Sequence, residues 1–134
     1  CEAIAVDAAT GTAYLVEKRL FGSVHVYAVP LFRPVTAKRQ VAQVVTQVSL
    51  PLVTAMDISP DGQTAILLTY GDALSFPRGQ QQSWKNVFSQ RGRQVRMPAR
   101  RQGEAICFGA DSQSLYLTSE GAGQPIWKLE PAPK

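Results

Sequence analysis

Seven polar residues stand at matching places in three related segments of the chain, and together they could form a binding site. Some stand at the start of a segment and the others follow further along it. They are Glu2, Glu17, Lys18, Thr54, Tyr70, Glu104 and Glu120. Carboxylates beside a lysine can bind a charged ligand or a protein partner. Glu2 and Glu104 could also hold Ca²⁺, because this ion prefers oxygen ligands.

The same residues also have structural interpretations. A glutamate at the start of an inner strand can accept backbone N–H groups from a neighbouring sheet, so Glu2 and Glu104 could serve packing alone. Lys18 can form an ordinary ion pair with Glu17 or Glu120. The sequence leaves both interpretations open.

Familiar catalytic motifs are absent from the sequence. It has two cysteines and one histidine, His25, too few for a Cys/His zinc cluster from a single chain. His25 stands between two valines, and no partner for it can be identified. Neither a Gly-x-Ser-x-Gly elbow nor a Gly-rich phosphate loop occurs. Cys107 lies within an apolar run, which predicts a buried, inert thiol.

The three segments are an internal repeat with a period of about 50 residues. Their apolar positions coincide when Glu2, Thr54 and Glu104 are superposed. The aligned sets are Ile4/Met56/Ile106, Val6/Ile58/Phe108 and Leu15/Leu67/Leu117. A repeat of this kind predicts one small structural unit per segment.

Short apolar runs separated by turn residues such as Pro60-Asp61-Gly62 predict an all-β fold. The predicted strands are 2–7, 12–18, 24–31, 40–50, 54–59, 63–70, 73–76, 93–98, 104–108, 114–119 and 126–130, with a short helical turn at 84–88. Grouped by repeat, they give units at 1–52, 53–102 and 103–134, of which the third lacks its outer strand.

Four-stranded antiparallel sheets at this period are typical of β-propeller blades. We therefore expect about three blades, half of a ring of about six. Three blades alone would leave an apolar face open at each end, and such faces favour association. The predicted partner is a second copy that completes the ring, or an N-terminal half of a longer chain.

Three stretches carry a family resemblance: EAIAVDAATGTAYLVEKR, VTAMDISPDGQTAILLTYGDALSF and QGEAICFGADSQSLYLTSEGAGQPIWKLEP. They resemble bacterial β-propellers of uncharacterised role, which are WD40-like or related to esterase-like and phytase-like propellers. The resemblance implies a parent about twice this length and an exported, extracytoplasmic protein. Phytase-like propellers hold calcium with carboxylates, but Lys18, Arg19 and Tyr70 stand where such a site would need acidic residues.

In a propeller, the loops that enter the first strands and those that follow the second strands open on one face. This places all seven polar residues around one mouth of the channel. We expect a binding or scaffold propeller, and the alternative is a calcium-dependent phosphoesterase or esterase-like hydrolase. The basic group Arg91, Arg93, Arg96, Arg100 and Arg101 is expected to be a solvated loop and not a nucleic-acid site. No apolar run is long enough to span a membrane.

Overall fold

The computed structural model describes residues 1–32 and 39–131. In this part of the chain there are eleven strands and one short helix. Their bounds are β1 Ala3–Asp7, β2 Thr12–Val16, β3 Val24–Pro30, β4 Gln43–Val48, β5 Val53–Ile58, β6 Thr64–Thr69, β7 Ala73–Pro77, α1 Trp84–Phe88, β8 Arg93–Val95, β9 Gly103–Phe108, β10 Leu115–Ser119 and β11 Trp127–Leu129. Residues 33–38 of the first predicted unit and 132–134 of the third lie outside the described residues.

The strands form three separate antiparallel sheets in which neighbours in sequence pair with each other. Sheet 1 contains β1 to β4, sheet 2 contains β5 to β8, and sheet 3 contains β9 to β11. The turn predicted at Pro60-Asp61-Gly62 closes the hairpin between β5 and β6. Gly62 has a φ of 67° there, a conformation that glycine adopts readily. The predicted all-β fold of antiparallel sheets is confirmed.

The sheets pack side by side through their first strands, since β1 contacts β5 and β5 contacts β9. One apolar cluster fills the space between sheets 1 and 2, and a second fills the space between sheets 2 and 3. Both clusters come from alternate residues of each strand, because successive side chains of a strand point to opposite faces. Sheet 2 is therefore covered on both faces.

Helix α1 covers the outer part of the junction between sheets 1 and 2. It contacts β4 and β7, and its buried residues are Trp84, Val87 and Phe88. Ser83 begins the helix as its N-cap, because its side chain accepts a hydrogen bond from the backbone N–H of Asn86. The sequence placed a helical turn at these residues but did not show what it covers.

A buried polar cluster joins sheet 1 to sheet 2 at the far end of β1. Asp7 is 1% exposed and accepts hydrogen bonds from Trp84 Nε1 at 3.0 Å and Arg78 Nη1 at 3.1 Å. The Arg78 guanidinium also lies over the Trp84 ring, 4.5 Å from its centroid. Burial raises the pKa of Asp7, but the bonds from Trp84 and Arg78, with the charge of Arg78, hold it below its usual value.

A similar contact joins sheet 2 to sheet 3. The Asp57 carboxylate accepts the backbone N–H of Phe108 at 2.7 Å, and burial raises the pKa of Asp57. This aspartate lies inside β5 and binds the neighbouring sheet.

The prediction of a buried thiol at Cys107 is wrong: the residue is exposed, because its face of β9 meets no further sheet among the described residues.

No helix in the described ranges is long and apolar enough to cross a membrane.

Candidate functional site

The three sheets present their corresponding loops on one side of the molecule, here called the mouth face. The hairpin pairings set this arrangement. Ala3 is paired with Val16 in sheet 1, and Gly103 with Ser119 in sheet 3. In sheet 2, Val53 is paired with Thr69. The chain therefore enters the first strand and leaves the second strand of each sheet at the same face.

Lys18 connects sheets 1 and 2 on the mouth face. Its ammonium lies 3.4 Å from the Glu2 carboxylate and 4.9 Å from the centre of the Tyr70 ring, which belongs to the next sheet. Tyr70 has the largest effect on the pKa of Lys18 and raises it, partial burial opposes this, and Glu2 raises it further. Lys18 is thus held as a cation, and its ion-pair partner is Glu2 and not the expected Glu17 or Glu120.

Glu17 points away from this group and into sheet 1. One of its carboxylate oxygens lies 2.6 Å from His25 Nδ1 and accepts the backbone N–H of His25 at 3.0 Å. Arg19 Nε donates to the same oxygen at 2.7 Å, and Tyr27 donates to the other at 3.1 Å. The backbone bond has the largest effect and, with the other donors, lowers the pKa of Glu17 to about 2 despite the opposing effect of burial.

His25 therefore has a partner that sequence reasoning missed. Its Nδ1 binds Glu17, and its Nε2 lies 2.7 Å from the side-chain nitrogen of Gln47. A proton on Nδ1 satisfies both contacts, since Nε2 then accepts from the Gln47 amide. The sequence could have indicated this contact, because the hairpin that pairs Val16 with Val26 brings the following residue, Glu17, next to His25.

Thr54 and Glu104 occupy the same repeat position as Glu2 but make other contacts. Thr54 is buried, and its hydroxyl donates to the Gly103 carbonyl of the next sheet at 2.7 Å. Glu104 is half-buried and accepts a hydrogen bond from Gln102 Nε2. Thr54 therefore joins two sheets, whereas Glu104 keeps its carboxylate partly in contact with solvent.

Glu120 is exposed at the end of β10. Its backbone N–H donates to the Gln102 carbonyl at 3.0 Å, and its carboxylate makes no hydrogen bond or ion pair with the described residues. Within those residues, no three His, Cys, Asp or Glu side chains lie close enough together to hold a metal ion. A calcium ion at the mouth would thus need ligands beyond a preformed carboxylate cluster.

A cleft of about 880 Å³ also opens between the outer parts of sheets 1 and 2, and it was not predicted from the sequence. Its lining is mostly polar, with Asp72 and Arg91 as its charged residues. Asp72 is already engaged: it accepts from Gln94 Nε2 at 2.8 Å and from the backbone N–H of Met97 at 3.0 Å. These bonds, with that from Met97 first, lower the pKa of Asp72.

The basic group of the sequence is only partly free for binding. Arg100 folds back onto the chain, where its guanidinium donates to the carbonyls of Thr69, Gly71 and Pro98. The other arginines of the group are exposed.

No protein-family model matches this sequence, and no curated protein matches it. Solved structures do resemble it. Hydrazine synthase from Kuenenia stuttgartiensis superposes with a TM-score of 0.64 at 15% identity, over 96% of this chain and 33% of that chain. TolB from Acinetobacter baumannii superposes with a TM-score of 0.56 at 13% identity, over 96% of this chain and 29% of that chain.

Both of these proteins are β-propellers, and the three sheets described above match their blades. The chain therefore has the fold of β-propeller blades. It spans about a third of the length of each of the two structures, 33% and 29%. At such low identities the likeness concerns the fold alone.

Proposed function

We propose that this chain is a binding or scaffold propeller whose partner site is the mouth face, around Lys18. The observation that supports this most is the position of the Lys18 ammonium, which lies between Glu2 of its own sheet and Tyr70 of the next. It places a cation, a carboxylate and an aromatic ring at the boundary of two blades.

The repeat supports the same proposal. Lys18, Tyr70 and Glu120 occupy one position in the three units, and they differ in charge and size. A position needed only for folding tends to keep the same residue type in every unit, as the aligned Leu15, Leu67 and Leu117 do. Divergence within an otherwise regular repeat is expected where the units contribute different groups to one ligand.

The chemistry of the mouth face suits a protein partner. Lys18 offers a positive charge, Glu104 and Glu120 offer negative ones, and Tyr70 offers a large amphipathic ring. Aromatic side chains are enriched in protein–protein contacts, and charges of both signs at the rim select the partner and its orientation.

The test compares Lys18→Met with wild type, because methionine keeps the apolar stem and removes only the charge. Each protein is immobilised and exposed to a bacterial periplasmic extract, the compartment that the family resemblance suggests. Lys85→Met is the control, since Lys85 is an exposed lysine on α1, away from the mouth face and from both open sheet faces. We expect a protein that wild type and Lys85→Met retain but Lys18→Met loses. Equal retention by all three would exclude Lys18 as part of the site.

The competing proposal is hydrolysis of phosphate or carboxylic esters with Ca²⁺ held over the channel. It is favoured only by the accessible carboxylates of Glu104 and Glu120, and a bound metal would supply the electrophile that the side chains lack. Calorimetric titration with Ca²⁺ and an assay with p-nitrophenyl phosphate test it. Heat of Ca²⁺ binding that Glu104→Gln abolishes would favour this proposal. Absence of both Ca²⁺ binding and hydrolysis would exclude it.

A further inference from the structure

We infer that the open face of sheet 3 binds the open face of sheet 1 in a second copy of this chain, head to tail. This inference is independent of the ligand at the mouth. It follows from the two junctions inside the chain, which use the same repeat positions, and from the two end faces, where those positions have no neighbouring sheet among the described residues.

Each sheet has two faces, and the first two strands define them. The back face consists of Ile4, Val6, Ala13 and Leu15 in sheet 1, Met56, Ile58, Ala65 and Leu67 in sheet 2, and Ile106, Phe108, Leu115 and Leu117 in sheet 3. The front face consists of Ala3, Ala5, Tyr14 and Val16 in sheet 1, Ala55, Asp57, Ile66 and Leu68 in sheet 2, and Ala105, Cys107, Tyr116 and Thr118 in sheet 3.

The internal junctions join front to back in both cases. Ala3, Ala5 and Val16 share a cluster with the back face of sheet 2. Ile66 and Leu68 share the other cluster with the back face of sheet 3. The chain thus uses one type of junction twice, and the outer faces of sheets 1 and 3 carry the residues for a third junction of this type.

Exposure separates the used faces from the unused ones. Ile4 is 58% exposed, whereas Met56 and Ile106 at the same repeat position are 4% and 7% exposed. On the front face, Tyr116 is 37% exposed, whereas Ile66 is 1% exposed. Both end faces therefore expose large apolar groups at positions that are buried elsewhere in the chain.

The front face of sheet 3 also has a shape that suits such a contact. A shallow depression of about 230 Å³ lies on it, lined almost wholly by apolar atoms. Its lining residues include Ala105, Cys107, Tyr116 and Ile126. A back face like that of sheet 1, with Ile4 and Val6 projecting from β1, offers the side chains that would fill this depression.

A second copy carries the required back face. Pairing in this sense is heterologous, and such contacts form a closed ring when the rotation permits or an open filament when it does not. Two copies of three sheets close into a ring of about six, which is within the usual range for propellers. Both end faces of both copies are then covered.

The internal junction between sheets 2 and 3 indicates which residues would meet in the proposed one. Between sheets 2 and 3, the side chain at position 57 meets the backbone at position 108. The equivalent positions in the proposed junction are Cys107 of one copy and Val6 of the other. The Val6→Cys variant should therefore place two sulfurs within reach of a disulfide, which requires close Cα atoms and facing Cβ atoms.

The experiment oxidises Val6→Cys in the full 134-residue chain, with Cys1→Ser present throughout, and measures products by non-reducing electrophoresis and mass spectrometry. Val41→Cys is the control, since Val41 is also exposed but lies outside both faces. We expect Val6→Cys, but not Val41→Cys, to give a species of two chains linked through Cys107. This species should disappear when Cys107→Ser is added to Val6→Cys. Equal cross-linking of Val41→Cys, a linked product that persists in Val6→Cys with Cys107→Ser, or no linked product would overturn the inference.

Discussion

Asp7 lies at the end of β1 with its carboxylate buried against residues of sheet 2. The indole N–H of Trp84 and the guanidinium of Arg78 satisfy it at 3.0 and 3.1 Å. A buried charge held in this way joins the two sheets only while all partners are present. At the residue scale, this cluster is the strongest candidate for a side-chain contact on which the fold depends.

Replacing Asp7 by alanine leaves the half-buried Arg78 without its counter-ion and the buried Trp84 N–H without its acceptor. We expect a loss of about 3 kcal/mol in the free energy of unfolding. Urea denaturation followed by tryptophan fluorescence measures this. Glu130→Gln removes an acid that is exposed on the surface, and its effect should stay within about 0.5 kcal/mol. A small effect of Asp7→Ala would mean that the carboxylate does not join the sheets.

Glu17 makes stability depend on pH. Its pKa lies at about 2 in the folded protein, below its ordinary value of 4.5. A lowered folded pKa contributes stability that is present above 4.5 and is lost as the pH falls towards about 2. The urea midpoint should therefore fall across that range, and Glu17→Gln should fall less. An equal decline of the urea midpoint in both proteins would show that other acidic groups control the pH dependence.

At the scale of elements, α1 closes the outer end of the first junction. The helix is too short to be stable alone, so its cap and its buried side chains must hold it in place. Ser83 supplies the cap, and Trp84 connects the helix to Asp7 of β1. Helix and polar cluster thus stabilise the same junction.

Ser83→Ala should lower the free energy of unfolding by about 1 kcal/mol, the usual cost of removing an N-cap oxygen. Thermal or urea denaturation measures the change. Asn86→Ala is the matched control, because only the backbone N–H of Asn86 bonds to Ser83 and the variant keeps that bond. If both variants lose the same stability, the cap has no special role.

The strand pattern could be predicted from the sequence because it depends on neighbouring residues. Pairing within a hairpin follows from turns such as Pro60-Asp61-Gly62 and from the apolar alternation on either side. The contact between Asp7 and Trp84 could not be predicted, since 77 residues separate them and a polar residue at a strand end gives no local sign of its partner. The contact between Glu17 and His25 could have been predicted, because the pairing of β2 with β3 brings these two residues next to each other.

At the scale of the molecule, the outer faces of sheets 1 and 3 are the surfaces through which we propose that two copies associate. Burying a large aliphatic side chain contributes about 1.5 to 3 kcal/mol. Such side chains are exposed at Ile4 and Val6 on one end face and at Ile126 on the other. Ile4→Asp should leave the separate chain folded, because Ile4 is already exposed, but should prevent assembly. Circular dichroism checks the fold, and Val41→Asp checks that a new charge alone does not prevent assembly.

Sedimentation equilibrium of the wild-type chain beside Ile4→Asp tests most directly whether the two end faces are halves of one junction. We expect twice the chain mass of 14.6 kDa for wild type and for Val41→Asp, and the single-chain mass for Ile4→Asp. A wild-type mass of 14.6 kDa, unchanged by Ile4→Asp, would contradict it.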